Sequence, residues 1–128
     1  MPEPAPPADS PLHRRKALVV EDEVIISFLI EDLLSEFACD VWLAANIPSA
    51  MKILEGGTPD FAVLDVNVGD EMVYPVAERL KKNGIPFIFT TGYGRSGLPS
   101  EWADFPVLQK PYDADTLSDA LTKLLKVS

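Results

Sequence analysis

Five short apolar runs, each separated from the next by a stretch of helical periodicity, restrict this chain more than any other feature. The runs are Ala17–Val20, Asp40–Ala44, Phe61–Asp65, Pro86–Thr90 and Val107–Gln109. Between them Ile26, Leu29, Ile30, Leu33, Leu34 and Phe37 recur at spacings of three and four. Val73, Val76, Ala77 and Leu80 do the same, as do Leu117, Ala120, Leu121, Leu124 and Leu125; a weaker period covers Ile47–Leu54. Gly56-Gly57, Asn83-Gly84, Pro59, Pro86 and Pro111 punctuate the ends. Strands alternating with helices need crossover connections, so the sheet is mostly parallel with helices on both faces. Continuous apolar strands suit a sheet covered on both sides. The expectation is an α/β domain around a five-stranded parallel sheet. Arg95–Asp104 should supply the fourth helix, but it is short and holds Pro99, so one turn is expected there.

A chain of 128 residues is about one domain. Its first eleven residues hold five of its twelve prolines and little apolar bulk, which predicts a flexible tail over 1–15 and a folded domain over 16–128. The tail is neutral, so the net charge of −9 sits on the domain. That excess argues against nucleic acid and anionic membrane surfaces as partners. The single cysteine, Cys39, excludes an intramolecular disulfide and reads as a buried apolar thiol. Without a signal-peptide pattern or an apolar run of ~18 residues, the chain is expected to be cytoplasmic.

The acids stand where the runs end. Glu21-Asp22 close the first run, Asp65 closes the third, and Lys110-Pro111 follow the fifth. In a parallel sheet these side chains emerge at one edge, the carboxyl end where open α/β sheets bind ligands. A single acid there would be read as a helix cap, and Asp22 is well placed for that. Three acids are different. At ~4 Å and an effective dielectric of ~20, two like charges repel by ~4 kcal/mol, so the cluster calls for a compensating cation. Lys110 supplies one charge, and an Mg²⁺-like ion fits the all-oxygen setting. Asp65 is then the candidate nucleophile toward phosphorus. Thr91, at the end of the fourth run, can offer a hydroxyl to the phosphoryl group, and Gly92 and Gly94 let the backbone approach it.

Val19-Val20-Glu21-Asp22-Glu23, Val63-Leu64-Asp65-Val66-Asn67, Thr91-Gly92 and Lys110-Pro111, taken in order, make the chain resemble the receiver domain of two-component response regulators. The resemblance runs from about Lys16 to Lys126. It implies a flavodoxin-like fold, Asp65 as phosphoacceptor, and metal ligation by Asp22, Asp65 and the backbone carbonyl of Asn67, with Glu21 direct or through water. Thr91 and Lys110 would contact the phosphoryl group. The cofactor would be Mg²⁺ or another divalent cation such as Mn²⁺. The donor would be a phosphohistidine on a sensor histidine kinase or phosphotransfer protein, and no conventional turnover enzyme is implied. His13, in the tail, is no donor. With the chain stopping at Ser128, directly after the last helix, output is expected to pass through a protein partner.

The departures carry information. Glu21 stands where the family usually has Asp, and Gly69 where a proline is common, which predicts a looser loop. Val107 occupies the place of the usual switch aromatic. Phe89-Thr90-Thr91-Gly92-Tyr93 looks like the receiver subfamily marked by a Phe-Ala-Thr-Gly stretch, and Tyr93 with the short fourth helix reads equally as a substitute switch or as a loop aromatic packing locally. Trp42 reads as packing in the second strand. Trp102, in a loop with Phe105, reads equally as a docking anchor or as local packing. Arg79, Lys81 and Lys82 read as a solvated face.

Other functions fit less well. A haloacid-dehalogenase-like phosphatase wants a second Asp two residues after the nucleophile, where this chain has Asn67. A flavin module wants a Ser/Thr/Gly phosphate loop, where this chain has Glu21-Asp22-Glu23. The remaining alternative is a pseudo-receiver that binds partners without phosphorylation.

Overall fold

The computed structural model describes residues 10–92 and 98–126. In chain order they form β1 (Lys16–Val20), α1 (Val24–Ser35), β2 (Asp40–Ala44), α2 (Ile47–Gly56) and β3 (Phe61–Asp65). A short pair follows, β4 (Asn67–Val68) and β5 (Glu71–Met72), then α3 (Tyr74–Lys82), β6 (Phe87–Thr91), β7 (Val107–Gln109) and α4 (Ala114–Lys126). The five longer strands make one parallel sheet in the order β2-β1-β3-β6-β7. That is the α/β architecture read from the apolar runs.

Strand pleating divides the core. Ala17, Val19, Phe61, Val63 and Ile88 meet Ile30, Leu34, Leu117 and Leu121 of α1 and α4. Leu18, Val20, Ala62, Leu64, Phe87 and Phe89 meet Ala50, Leu54, Val76 and Leu80 of α2 and α3. Both faces are covered, which is why β1 and β3 carry apolar residues on both sides. Helix starts follow local chemistry. Asn46 Oδ1 accepts the Ser49 N–H at 2.8 Å, and Asp113 Oδ1 accepts the Thr116 N–H at 2.8 Å. Among the described residues no helix is long and apolar enough to cross a membrane.

The folded part reaches further back than Lys16. Leu12 is fully buried between the sheet and its α1/α4 layer, and the Arg14 N–H donates to the Phe37 carbonyl at 2.9 Å. A lone leucine in a polar, proline-rich stretch has no periodicity, so nothing in the residue pattern marks this anchor. Cys39 is half-buried rather than fully buried, and its Sγ donates to the Leu12 carbonyl at 3.0 Å.

Among the described residues of the expected fourth-helix segment, Ser100–Trp102 form a 3₁₀ turn directly after Pro99. Trp102 is not an exposed docking anchor. At 1% exposure it stacks on Tyr74, with ring centroids 6.0 Å apart, and meets Phe87, Phe89 and Phe105 edge-on. Lys81, read as part of a solvated face, lies over the Trp102 ring at 5.5 Å from its centroid. Trp42 is half-buried, and a Cβ at Gly57 would stand 3.2 Å from its ring, which keeps that position small. Tyr93 and Gly94 lie outside the described residues.

Candidate functional site

Parallel register delivers the acids to one edge. Val20 pairs with Leu64, so Glu21 and Asp65 leave adjacent strands at the same height. The Glu21 N–H donates to the Ala44 carbonyl at 3.0 Å, which fixes the chain as it leaves β1. Asp65 pairs with Thr90, and the Lys110 N–H donates to the Thr91 carbonyl at 2.8 Å. The lysine is thereby held beside the acids by the backbone next to Thr91. Together Asp65, Asn67, Thr91, Gly92, Lys110 and Glu23 line a cavity of about 740 Å³.

The charges interlock within it. Lys110 Nζ lies 2.8 Å from Glu21 Oε1, 3.3 Å from Asp65 Oδ2 and 3.3 Å from Glu23 Oε1. The Glu21 and Asp65 side chains are only 2% and 8% exposed. Ligand oxygens of Glu21, Asp22 and Asp65 all lie within 4.8 Å of one another. Glu21 Oε2 is buried without a hydrogen-bond partner. Burial, with hydrogen bonding to Asp65 and repulsion from it, pushes the Glu21 carboxyl up to about 8. Burial pulls the Lys110 ammonium down, but Glu21 and Asp65 outweigh it and leave its pKa raised. Burial and the Glu21 charge push the nearby Tyr112 phenol up to about 12. Among the described residues, one ammonium therefore faces more carboxylate than it can neutralise.

Asp22 is exposed and does not cap α1. The N-cap residue is Glu23, without a side-chain cap bond, while Asp22 Oδ2 accepts the Gly69 N–H at 2.8 Å. That bond ties the first acidic loop to the turn between β4 and β5. The loop after Asp65, which lacks the common proline, forms this antiparallel hairpin, with Gly69 at φ 61° in its turn. A proline at 69 would have no N–H for Asp22. Thr91 is buried at the cavity wall, and Gly92 lines it with open space where a Cβ would stand.

The structure thus brings Glu21, Asp22, Asp65 and Lys110 together, with Asn67 and Thr91 on the cavity that Asp65 and Lys110 line. It adds two residues to those singled out in the sequence. Glu23 reaches the lysine, a contact foreshadowed only by its place in the run Glu21-Asp22-Glu23. Met72, exposed on β5, lines the cavity mouth and carried no sequence signal. His13 precedes β1, at the end of the sheet away from Asp65.

Residues 17–122 match the response regulator receiver domain, and the chain belongs to that family. It is similar to SdrG from Sphingomonas melonis Fr1, a protein solved in solution, at 38% identity and a TM-score of 0.75; the match covers 87% of this chain and 96% of SdrG. Sporulation initiation phosphotransferase F of Bacillus subtilis is 28% identical over 115 residues, covering 86% of this chain and 93% of that protein. Sensory transduction protein LytT of the same organism is 30% identical over 120 residues, covering 88% of this chain but 49% of LytT. The chain spans about half the length of LytT and of the probable transcriptional regulator ycf27 of Cyanophora paradoxa.

Proposed function

We propose that this receiver domain accepts a phosphoryl group from a phosphohistidine on a partner protein onto Asp65, in a reaction that requires a divalent cation, and signals through protein contacts. The observation that supports this reading best is the placement of a buried Asp65 carboxylate 3.3 Å from Lys110 on a cavity lined also by Thr91 and Asn67. An Asp65 oxygen attacks phosphorus, the P–N bond of the phosphohistidine breaks, and the imidazole leaves on taking up a proton. The product is an acyl phosphate. Lys110 neutralises one phosphoryl oxygen as charge builds, and Thr91 borders the group from the β6 side.

Glu21, Asp22 and Asp65 fit a hard cation: their oxygens converge, and the orphaned Glu21 Oε2 lacks a donor. Asn67 would complete the set through its backbone carbonyl. When bound, Mg²⁺ or Mn²⁺ neutralises phosphoryl charge that Lys110 alone leaves uncompensated.

A protein donor is supported by α1. Directly after the acidic loop it exposes Val24, Ile25, Phe28 and Leu29, with Ile25 76% exposed. A contiguous apolar face of this kind beside a reactive cavity suits contact with another protein. SdrG has also been solved in a BeF3-activated conformation, at 36% identity to this chain, which supports beryllofluoride as a probe here.

Incubation with acetyl phosphate and Mg²⁺, read by intact mass, tests the reading. One added phosphoryl group is expected, and Asp65→Asn should abolish it. Modification that survives the substitution removes Asp65 as acceptor. No modification of the wild type favours the phosphorylation-independent binding module.

A further inference from the structure

Glu23 occupies an unusual place for its residue type. It is the N-cap of α1, a position where short Ser, Thr, Asp and Asn side chains satisfy the helix amides. Glu23 makes no such bond. Its carboxylate turns to Lys110, with Oε1 3.3 Å from Nζ, although the side chain is 60% exposed and has open solvent available. The same Nζ is shared with Asp65 at 3.3 Å and Glu21 at 2.8 Å. An ammonium has three N–H donors, and three carboxylates claim them.

Two of those claims belong to residues already placed in the site. The third does not, and it lines the cavity in which a phosphoryl group would sit. Anything bonded to Asp65 must take Lys110 at the expense of an existing partner. Glu21 is buried and closer, so the exposed Glu23 is the partner to be displaced. Its negative charge also repels an incoming phosphoryl group across the cavity.

We infer that Glu23 is a positioning residue that competes with the phosphoryl group for Lys110 and so weakens the hold of the site on that group. The inference rests on the phosphorylation reading above and extends it to a residue outside the acceptor and metal set. An exposed charge pair of this kind changes binding by about two- to five-fold.

The test is titration of the full chain with the beryllium trifluoride anion in saturating Mg²⁺, followed by amide NMR shifts of the cavity residues. Glu23→Gln should bind the anion about two- to five-fold more tightly than wild type. Glu23→Asp, which keeps the charge, should fall near wild type. The gap between wild type and Glu23→Gln should narrow as salt is raised, because the competing pair is exposed and screened. Equal or weaker binding by Glu23→Gln overturns the inference, as does a gap that persists unchanged at high salt or in Glu23→Asp. If wild type does not bind the anion, or Asp65→Asn binds it equally well, the phosphorylation reading itself fails.

Discussion

Glu21 sits almost wholly out of water between a lysine and a second carboxylate, and its burial shapes how the site responds to pH when a chelator withholds the cation. Its carboxyl is raised to about 8 from 4.5. A group whose pKa rises on folding stabilises the fold fully below its unfolded value and loses that contribution as pH rises through the folded one. In chelator, thermal stability contributed through Glu21 should therefore decline between about pH 4.5 and 8. Melting curves of wild type and Glu21→Gln across that window check this, since the substitution should flatten the difference; parallel curves would contradict it. Gly69 makes a second test at this scale. Its φ of 61° is strained for any residue with a Cβ, so Gly69→Ala should destabilise by about 1 kcal/mol in denaturant titration. Because Asp22 accepts the Gly69 N–H, Asp22→Ala should speed hydrogen exchange at that amide while leaving strand amides of β1 protected. Asp65, Glu21 and Lys110 were legible as site candidates because strand ends in a parallel sheet point one way. The Asp22–Gly69 bond was not, since nothing in either segment marks a contact 47 residues apart.

Among the elements, long periodic ones were legible and short ones were not. Apolar spacing marked α1, α3 and α4, and continuous apolar runs marked the strands. The pair β4–β5 has two residues per strand, too few to carry a period. The packing of Trp102 was equally hidden, because its box draws Tyr74 from α3, Phe87 and Phe89 from β6, and Phe105 from the loop before β7. Only folding brings them together. The box anchors the 3₁₀ turn at Ser100–Trp102. Trp102→Ala should destabilise the domain by about 3–5 kcal/mol in denaturant titration, whereas loss of an exposed anchor would leave stability nearly unchanged. At the start of α2, removing the Asn46 cap with Asn46→Ala should lose about 1 kcal/mol in the same measurement.

At the scale of the molecule, one charge imbalance links fold and function. A chain of net charge −9 gathers Glu21, Asp22, Glu23 and Asp65 around the single ammonium of Lys110 at the carboxyl edge of its sheet. Neutralising that edge should stabilise the whole domain. Mg²⁺ at about one hundred times its Kd should add about 2.7 kcal/mol to unfolding free energy, beyond any effect of matched NaCl, and Glu21→Gln should reduce the gain. The proposed phosphoryl acceptor at that edge is Asp65. The most direct measurement is chemical trapping. After exposure to acetyl phosphate and Mg²⁺, borohydride reduces an acyl phosphate on aspartate to the alcohol, and peptide mass mapping then locates it. Phosphoryl transfer to Asp65 predicts reduction at that residue alone, dependent on the cation. Reduction at another carboxylate, or none in a protein that has gained a phosphoryl group, would contradict it.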